Sequence, residues 1–135
     1  MVEIEVEFTG NLSTRLKHGP SGTILATDAP KDNQGEGKSF SPTDMVAGAL
    51  VSCMLTIMAI YAKRTGIDLT GVKGKVGKEM TTEPPRRIAK LTVNFQMPKR
   101  LSDAERKALE AAALTCPVHK SLHPEVQVPI SFEYS

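Results

Sequence analysis

The chain has two cysteines, Cys53 and Cys116, and their settings in the sequence differ. A thiol reacts as its thiolate, so each must be judged by what would stabilise the anion. Cys53 lies inside the uncharged run Met45–Ala62, "MVAGALVSCMLTIMAIYA". No charged residue falls within two helical turns of it there, so an activating cation would have to come from elsewhere in the fold or from a second chain. Left without one, Cys53 is a small apolar core residue. Cys116 opens the stretch "CPVHK". If Pro117 begins a short helix, Cys116 is its N-cap, and a thiolate there faces free N–H groups that lower its pKa. His119 and Lys120 add positive charge nearby. The alternative is a cysteine that ends one helix and packs.

Two further readings use the same residues. Cys116, His119 and His123 stand at i, i+3 and i+7, a ligand set that zinc accepts. Pro124 and the helix break work against that geometry, and no carboxylate is placed as a fourth ligand. A disulfide between Cys53 and Cys116 requires the two helices that carry them to pack together.

The elements that position these thiols read as follows. Val2, Ile4, Val6 and Phe8 alternate with glutamates and Thr9, which predicts a half-buried strand with an acidic outer face. "GNLSTRLKHGPSG" reads as a loop, followed by a short strand over 23–27 and a Gly-rich polar loop. Ser41 as N-cap, Pro42 in the first position and Asp44 three residues after the cap start a long helix ending near Arg64, before Gly66. Two strands follow, 72–80 and 88–97, separated by the turn "TTEPPRR". Ser102 and Glu105 form the capping box of a second helix, which Pro117 interrupts. The last strand is 126–134. Strands, a long helix, strands, a second helix and a closing strand make an α+β chain, read as a single domain over 1–135.

Composition limits the partners. Seventeen basic and 15 acidic residues leave a net charge of +2 spread along the chain, so no nucleic-acid-binding face is indicated. The aromatic content of 4% offers little for base stacking. The acidic, alternating N-terminus is neither a signal nor a transit peptide, and two cysteines cannot make a secreted disulfide framework. The chain therefore reads as soluble and cytoplasmic. The run 45–62 just reaches the length of a membrane span, but its Gly, Ser and Thr residues and soluble flanks favour a helix buried in a core or an oligomer interface, with no membrane partner.

Several of these landmarks occur together in a known family. The segments "TDAP", "GEGKSFSPTDMVAGALVSCMLTIM", "GIDLTGV", "PPRR" and "TCPV" resemble the OsmC/Ohr superfamily of osmotically inducible and organic hydroperoxide resistance proteins, from about Gly19 to the C-terminus. The resemblance implies an OsmC-like fold, with antiparallel sheets around a long buried central helix in an intertwined homodimer. It implies a thiol peroxidase with no cofactor and no metal, in which Cys53 attacks a hydroperoxide, Cys116 resolves the sulfenic acid as a disulfide, and a dithiol reductant restores both. The family's helix-start glutamate position is Thr43 here; Asp44 follows it, and Arg15 is the candidate thiolate partner, with Arg86 or Arg87 as substitutes. Val46, Leu50, Ile57 and nearby methionines would line an apolar substrate site. The rival on the same fold is a non-catalytic protein binding a small apolar ligand at the dimer interface.

Overall fold

The computed structural model describes residues Met1–Ser135. The chain forms two compact units, Met1–Val46 and Ala47–Ser135, described in turn.

The first unit is built on a three-stranded antiparallel sheet in the order β1 (Ile4–Gly10), β2 (Ser13–His18), β3 (Ile24–Asp28). Strand β2 corrects the sequence reading, which made this segment a loop. Its register places Lys17 opposite Glu5 and Arg15 opposite Glu7, so opposite charges pair across the strands on one face. The other face carries Val6, Leu16 and Leu25 side by side. Here too the expectation changes. The alternation in β1 is real, but its apolar side is not covered: Ile4 and Val6 are each 57% exposed and Phe8 67%.

A polar loop beyond β3, including the 3-10 turn Lys31–Asn33, is held to this sheet by one buried carboxylate. Asp28 accepts from the Ser13 hydroxyl at 2.9 Å and from the Lys38 backbone N–H at 2.9 Å. The Lys38 amide first, and the Ser13 hydroxyl second, hold its pKa below the ordinary carboxylate value. Helix α1 (Pro42–Arg64) then starts where the sequence predicts. Ser41 N–H donates to the Asp44 carboxylate at 2.9 Å, and Asp44 N–H donates to the Ser41 hydroxyl at 3.0 Å, a reciprocal cap that satisfies two otherwise unpaired donors.

The second unit holds the core. Its sheet runs β4 (Lys73–Met80), β5 (Ile88–Met97), β6 (Ile130–Tyr134). Strands β4 and β5 are antiparallel, whereas β6 runs parallel to β5, with Phe95 opposite Phe132. The α+β class stands, with a mixed second sheet. The connection from β5 to β6 carries α2 (Asp103–Ala113) and the short α3 (Pro117–Ser121).

Leu91, Val93, Phe95 and Met97 alternate along β5 and are fully or nearly fully buried. They pack with Leu50, Val51, Met54, Met58 and Ala62 from α1 and with Leu109 and Ala113 from α2. Those α1 residues recur at three- and four-residue intervals, which lines one face of a helix. Along α1, Ala49, Ser52, Thr56, Ala59 and Ile60 are instead exposed. The helix is long and apolar enough to cross a membrane by length and composition, but one of its faces is the wall of this core.

Gly74 on β4 is needed for that packing: a Cβ there would sit 2.5 Å from Val51 Cγ1 and 3.0 Å from the Phe95 ring. Phe95 in turn stacks on Phe132 with ring centroids 5.2 Å apart. Arg106 ties the C-terminal strand to α2. Its guanidinium lies 4.1 Å from the centre of the Tyr134 ring, while Nε donates to the Leu101 carbonyl at 3.0 Å.

Candidate active site

Within the second unit the two cysteines meet. Cys53 is half-buried on α1 and packs against the core. Cys116 is fully buried and lies in the core itself. Both are free thiols, and Cys53 lies near enough to Cys116 to raise its pKa. The helices that carry them do pack together, which the disulfide reading requires.

Cys116 is the N-cap of α3, as its Pro117 predicts, and its sulfur accepts the His119 backbone N–H at 3.4 Å. Its S–H faces the Leu50 carbonyl of α1 at 4.0 Å. The expected lowering of its pKa is not the outcome. Burial is the largest influence and raises it, and the contact with Cys53 raises it further; the His119 and Val118 amides pull in the opposite direction but do not prevail. Desolvation of the thiolate outweighs two amide dipoles here. Cys116 is therefore held as a thiol that donates, beside a Cys53 that reaches toward the surface.

The other expected residues fall as follows. Arg15 is an exposed residue of β2 in the first unit, opposite Glu7. Asp44 and Thr43 lie in the first turn of α1, where the Asp44 carboxylate serves the cap and the Thr43 hydroxyl lies 3.2 Å from that of Ser41. Arg87 is ion-paired with Glu125 at 3.2 Å and donates to the Ile88 carbonyl. Leu50, Met54 and Met58 are core residues, whereas Val46 and Ile57 are half-buried.

The zinc reading of Cys116, His119 and His123 fails on geometry. Helix α3 ends at Ser121, so the i+7 spacing does not fall on one helical face, and His123 Nδ1 accepts the Glu125 N–H at 3.1 Å. No group of three such side chains is gathered in a metal-holding arrangement. Sequence reasoning missed the Leu50 carbonyl, which no side-chain pattern reveals. It also missed His119 Nδ1, which is buried without a hydrogen-bond partner.

Comparison with known proteins places this arrangement. The family profile of OsmC-like proteins matches residues 35–131. The chain belongs to the OsmC-like family. That match includes both cysteines and crosses the boundary between the two units. A solved structure from Psychrobacter arcticus, described as an osmotic stress induced and detoxification response protein, is 40% identical, covers 98% of this chain and 96% of its own, and superposes with a TM-score of 0.92.

Two more distant OsmC-like relatives share the fold. One is an organic hydroperoxide resistance protein OsmC from Legionella pneumophila, at 21% identity and TM-score 0.73, covering 98% of this chain and 96% of its own. The other is the organic hydroperoxide resistance protein OhrB of Bacillus subtilis, at 15% identity and TM-score 0.71, covering 98% of both chains. Comparison with curated protein sequences gave no match.

Proposed function

We propose that this protein is a thiol-dependent peroxidase that reduces hydroperoxides, organic ones in particular, through Cys53 and Cys116. The observation that carries the reading is the nearness of the two thiols in one core region, with Cys116 buried and protonated and Cys53 closer to solvent. The names of the Legionella and Bacillus relatives, which refer to organic hydroperoxide resistance, point to the same chemistry.

In the first step the Cys53 thiolate attacks the terminal oxygen of the hydroperoxide. The O–O bond breaks, Cys53 becomes a sulfenic acid, and the alkoxide leaves as the alcohol after taking a proton. Cys116 then attacks the Cys53 sulfur, the S–O bond breaks, and water departs as the disulfide forms. A dithiol returns both residues to thiols by exchange. Arg15 is the proposed cation beside the Cys53 thiolate, oriented by Asp44 or Thr43 from the other subunit, since a desolvated thiol without a cation would be a poor nucleophile.

The working unit is proposed to be a cytoplasmic homodimer of one OsmC-like domain over 1–135. The uncovered Ile4, Val6, Phe8 and Leu25 side chains supply the apolar surface that a second copy would bury.

The test is mass spectrometry of the reduced protein after one equivalent of cumene hydroperoxide. A loss of two hydrogens per chain, mapped to a Cys53–Cys116 linkage, is expected. Cys116→Ser should instead leave a Cys53 sulfenic acid that dimedone traps. Unmodified thiols in both proteins under excess peroxide would favour a non-catalytic protein binding a small apolar ligand.

A further inference from the structure

The end of α1 and the segment that follows it form a pocket that the two cysteines do not line. Gly66 has a φ of +75°, and beyond it the Ile67 N–H returns to the Ala62 carbonyl at 2.8 Å. A left-handed glycine closes a helix in this way and frees the chain to turn back against it. Asp68 then accepts the Thr70 N–H at 2.9 Å, and the Val72 N–H donates to the Leu69 carbonyl at 3.0 Å. The loop is thus a hydrogen-bonded wall. Facing it, Leu55, Ala59 and Lys63 recur every four residues and make one stripe of α1. Between this stripe and Ile67, Leu69 and Val72 lies an open cavity of about 510 Å³, within the size range of small-molecule sites.

Its walls and its charge select a ligand. Leu55, Ile67, Leu69 and Val72 are half-buried and pack against the core, so their outer sides give the cavity an apolar floor. Asp68 also lines it, but that carboxylate is already engaged: Thr70 donates to it, and Arg100 Nη2 donates to the Asp68 carbonyl at 2.6 Å. The Thr70 amide and hydroxyl, and to a lesser extent the charge of Arg100, hold the Asp68 carboxyl below its ordinary pKa. The Lys63 ammonium enters no ion pair or hydrogen bond, which leaves positive charge in excess at the mouth. The last carbonyls of a helix repel anions, but here the Thr65 hydroxyl donates toward those of Tyr61 and Ala62 at 3.3 and 3.2 Å.

We propose that this cavity binds a free alkyl carboxylate, its tail on Leu55, Ile67, Leu69 and Val72 and its carboxylate on Lys63. Leu55 leaves α1 roughly 160° round the axis from Cys53. The site is therefore separate from the thiols and stands whether or not they form a redox pair.

Titration of the reduced full chain with sodium decanoate, followed by calorimetry and by backbone amide shifts in NMR, tests it. Saturable binding with a Kd below about 1 mM is expected, with the shifts centred on residues 55–72. Octanoate, with its shorter tail, should bind about fivefold more weakly. Lys63→Glu should weaken decanoate by about fivefold or more and leave decanol within about twofold. Ala59→Phe, which sets a ring in the cavity from an exposed position, should weaken both by about tenfold.

Decyltrimethylammonium binding as tightly as decanoate to the original protein would overturn the proposal, since the mouth would then not select an anion. So would shifts centred on Ile4, Val6 and Phe8 of β1, which would make the acid a ligand of the open sheet face. An affinity unchanged in both variants, or no saturable binding at all, would overturn it as well.

Discussion

Strands β1 and β5 carry the same period-two pattern and meet opposite fates. In β5, Leu91, Val93 and Phe95 are 1% exposed or less. In β1, Ile4, Val6 and Phe8 are more than half exposed. Alternation marks a strand with one face meant for burial. It does not say what buries that face. For β5 the cover is α1 and α2 of the same unit. For β1 and its neighbours nothing in the first unit covers Val6 or Leu25, and a patch of this kind on a folded protein marks an interaction surface. The comparison divides the molecule into a unit whose core is closed and a sheet whose apolar face remains open.

Three substitutions can break or sharpen that contrast. The largest effect is expected at Phe95, where truncation to alanine removes a fully buried ring and its stack on Phe132. A loss of about 3–5 kcal/mol in urea unfolding is expected; a loss below about 1 kcal/mol would mean that this core is not closed as described.

Phe8→Glu should leave the fold of the chain intact, since the ring is 67% exposed, but convert a dimer to a monomer. Sedimentation velocity at micromolar concentration reads this directly. A variant that stays dimeric, or an unaltered protein that is already monomeric, would remove the open sheet face as the dimer surface.

The smallest effect is expected at Asp28, whose carboxylate joins β2, β3 and the following loop. Because folding lowers its pKa, its contribution is fully present above the ordinary carboxylate value near 3.8 and fades as pH falls through the lower folded value. Asp28→Asn should therefore be less stable than the parent at neutral pH, with the gap closing in acid. A gap that stayed constant down to strongly acidic pH would place the effect in shape rather than charge.

What was legible in the sequence was local. The Ser102–Glu105 capping box, the Ser41–Asp44 start of α1 and the run from Ile88 to Met97 depend on residues within a few positions of one another, and each appears as read. Strand β2 was not legible because "STRLKH" has a single large apolar residue, Leu16, and becomes a strand through its cross-strand partners Glu5, Glu7 and Leu25.

The candidate site divides in the same way. That Cys116 caps a helix follows from Pro117, and the structure shows it. That its thiol is driven up rather than down follows from burial against α1 and from Cys53, which are distant in sequence and outweigh the local amides. The proposed pairing of the two cysteines rests on resemblance to a family, because spacing alone cannot bring two helices together.

The parallel pairing of β6 with β5 has a kinetic meaning. A parallel pair cannot be closed by a hairpin and needs a long crossover; here that crossover, Pro98 to Pro129, contains both α2 and α3, and therefore Cys116. Non-local pairings of this kind form late, because loop closure costs entropy before any contact repays it. In chain order β6 follows both helices. A growing chain thus displays Cys53 well before the crossover is fastened at its far end, and until then nothing fixes Cys116 near it. The setting of Cys116 near Cys53 is in this way made conditional on completing the sheet.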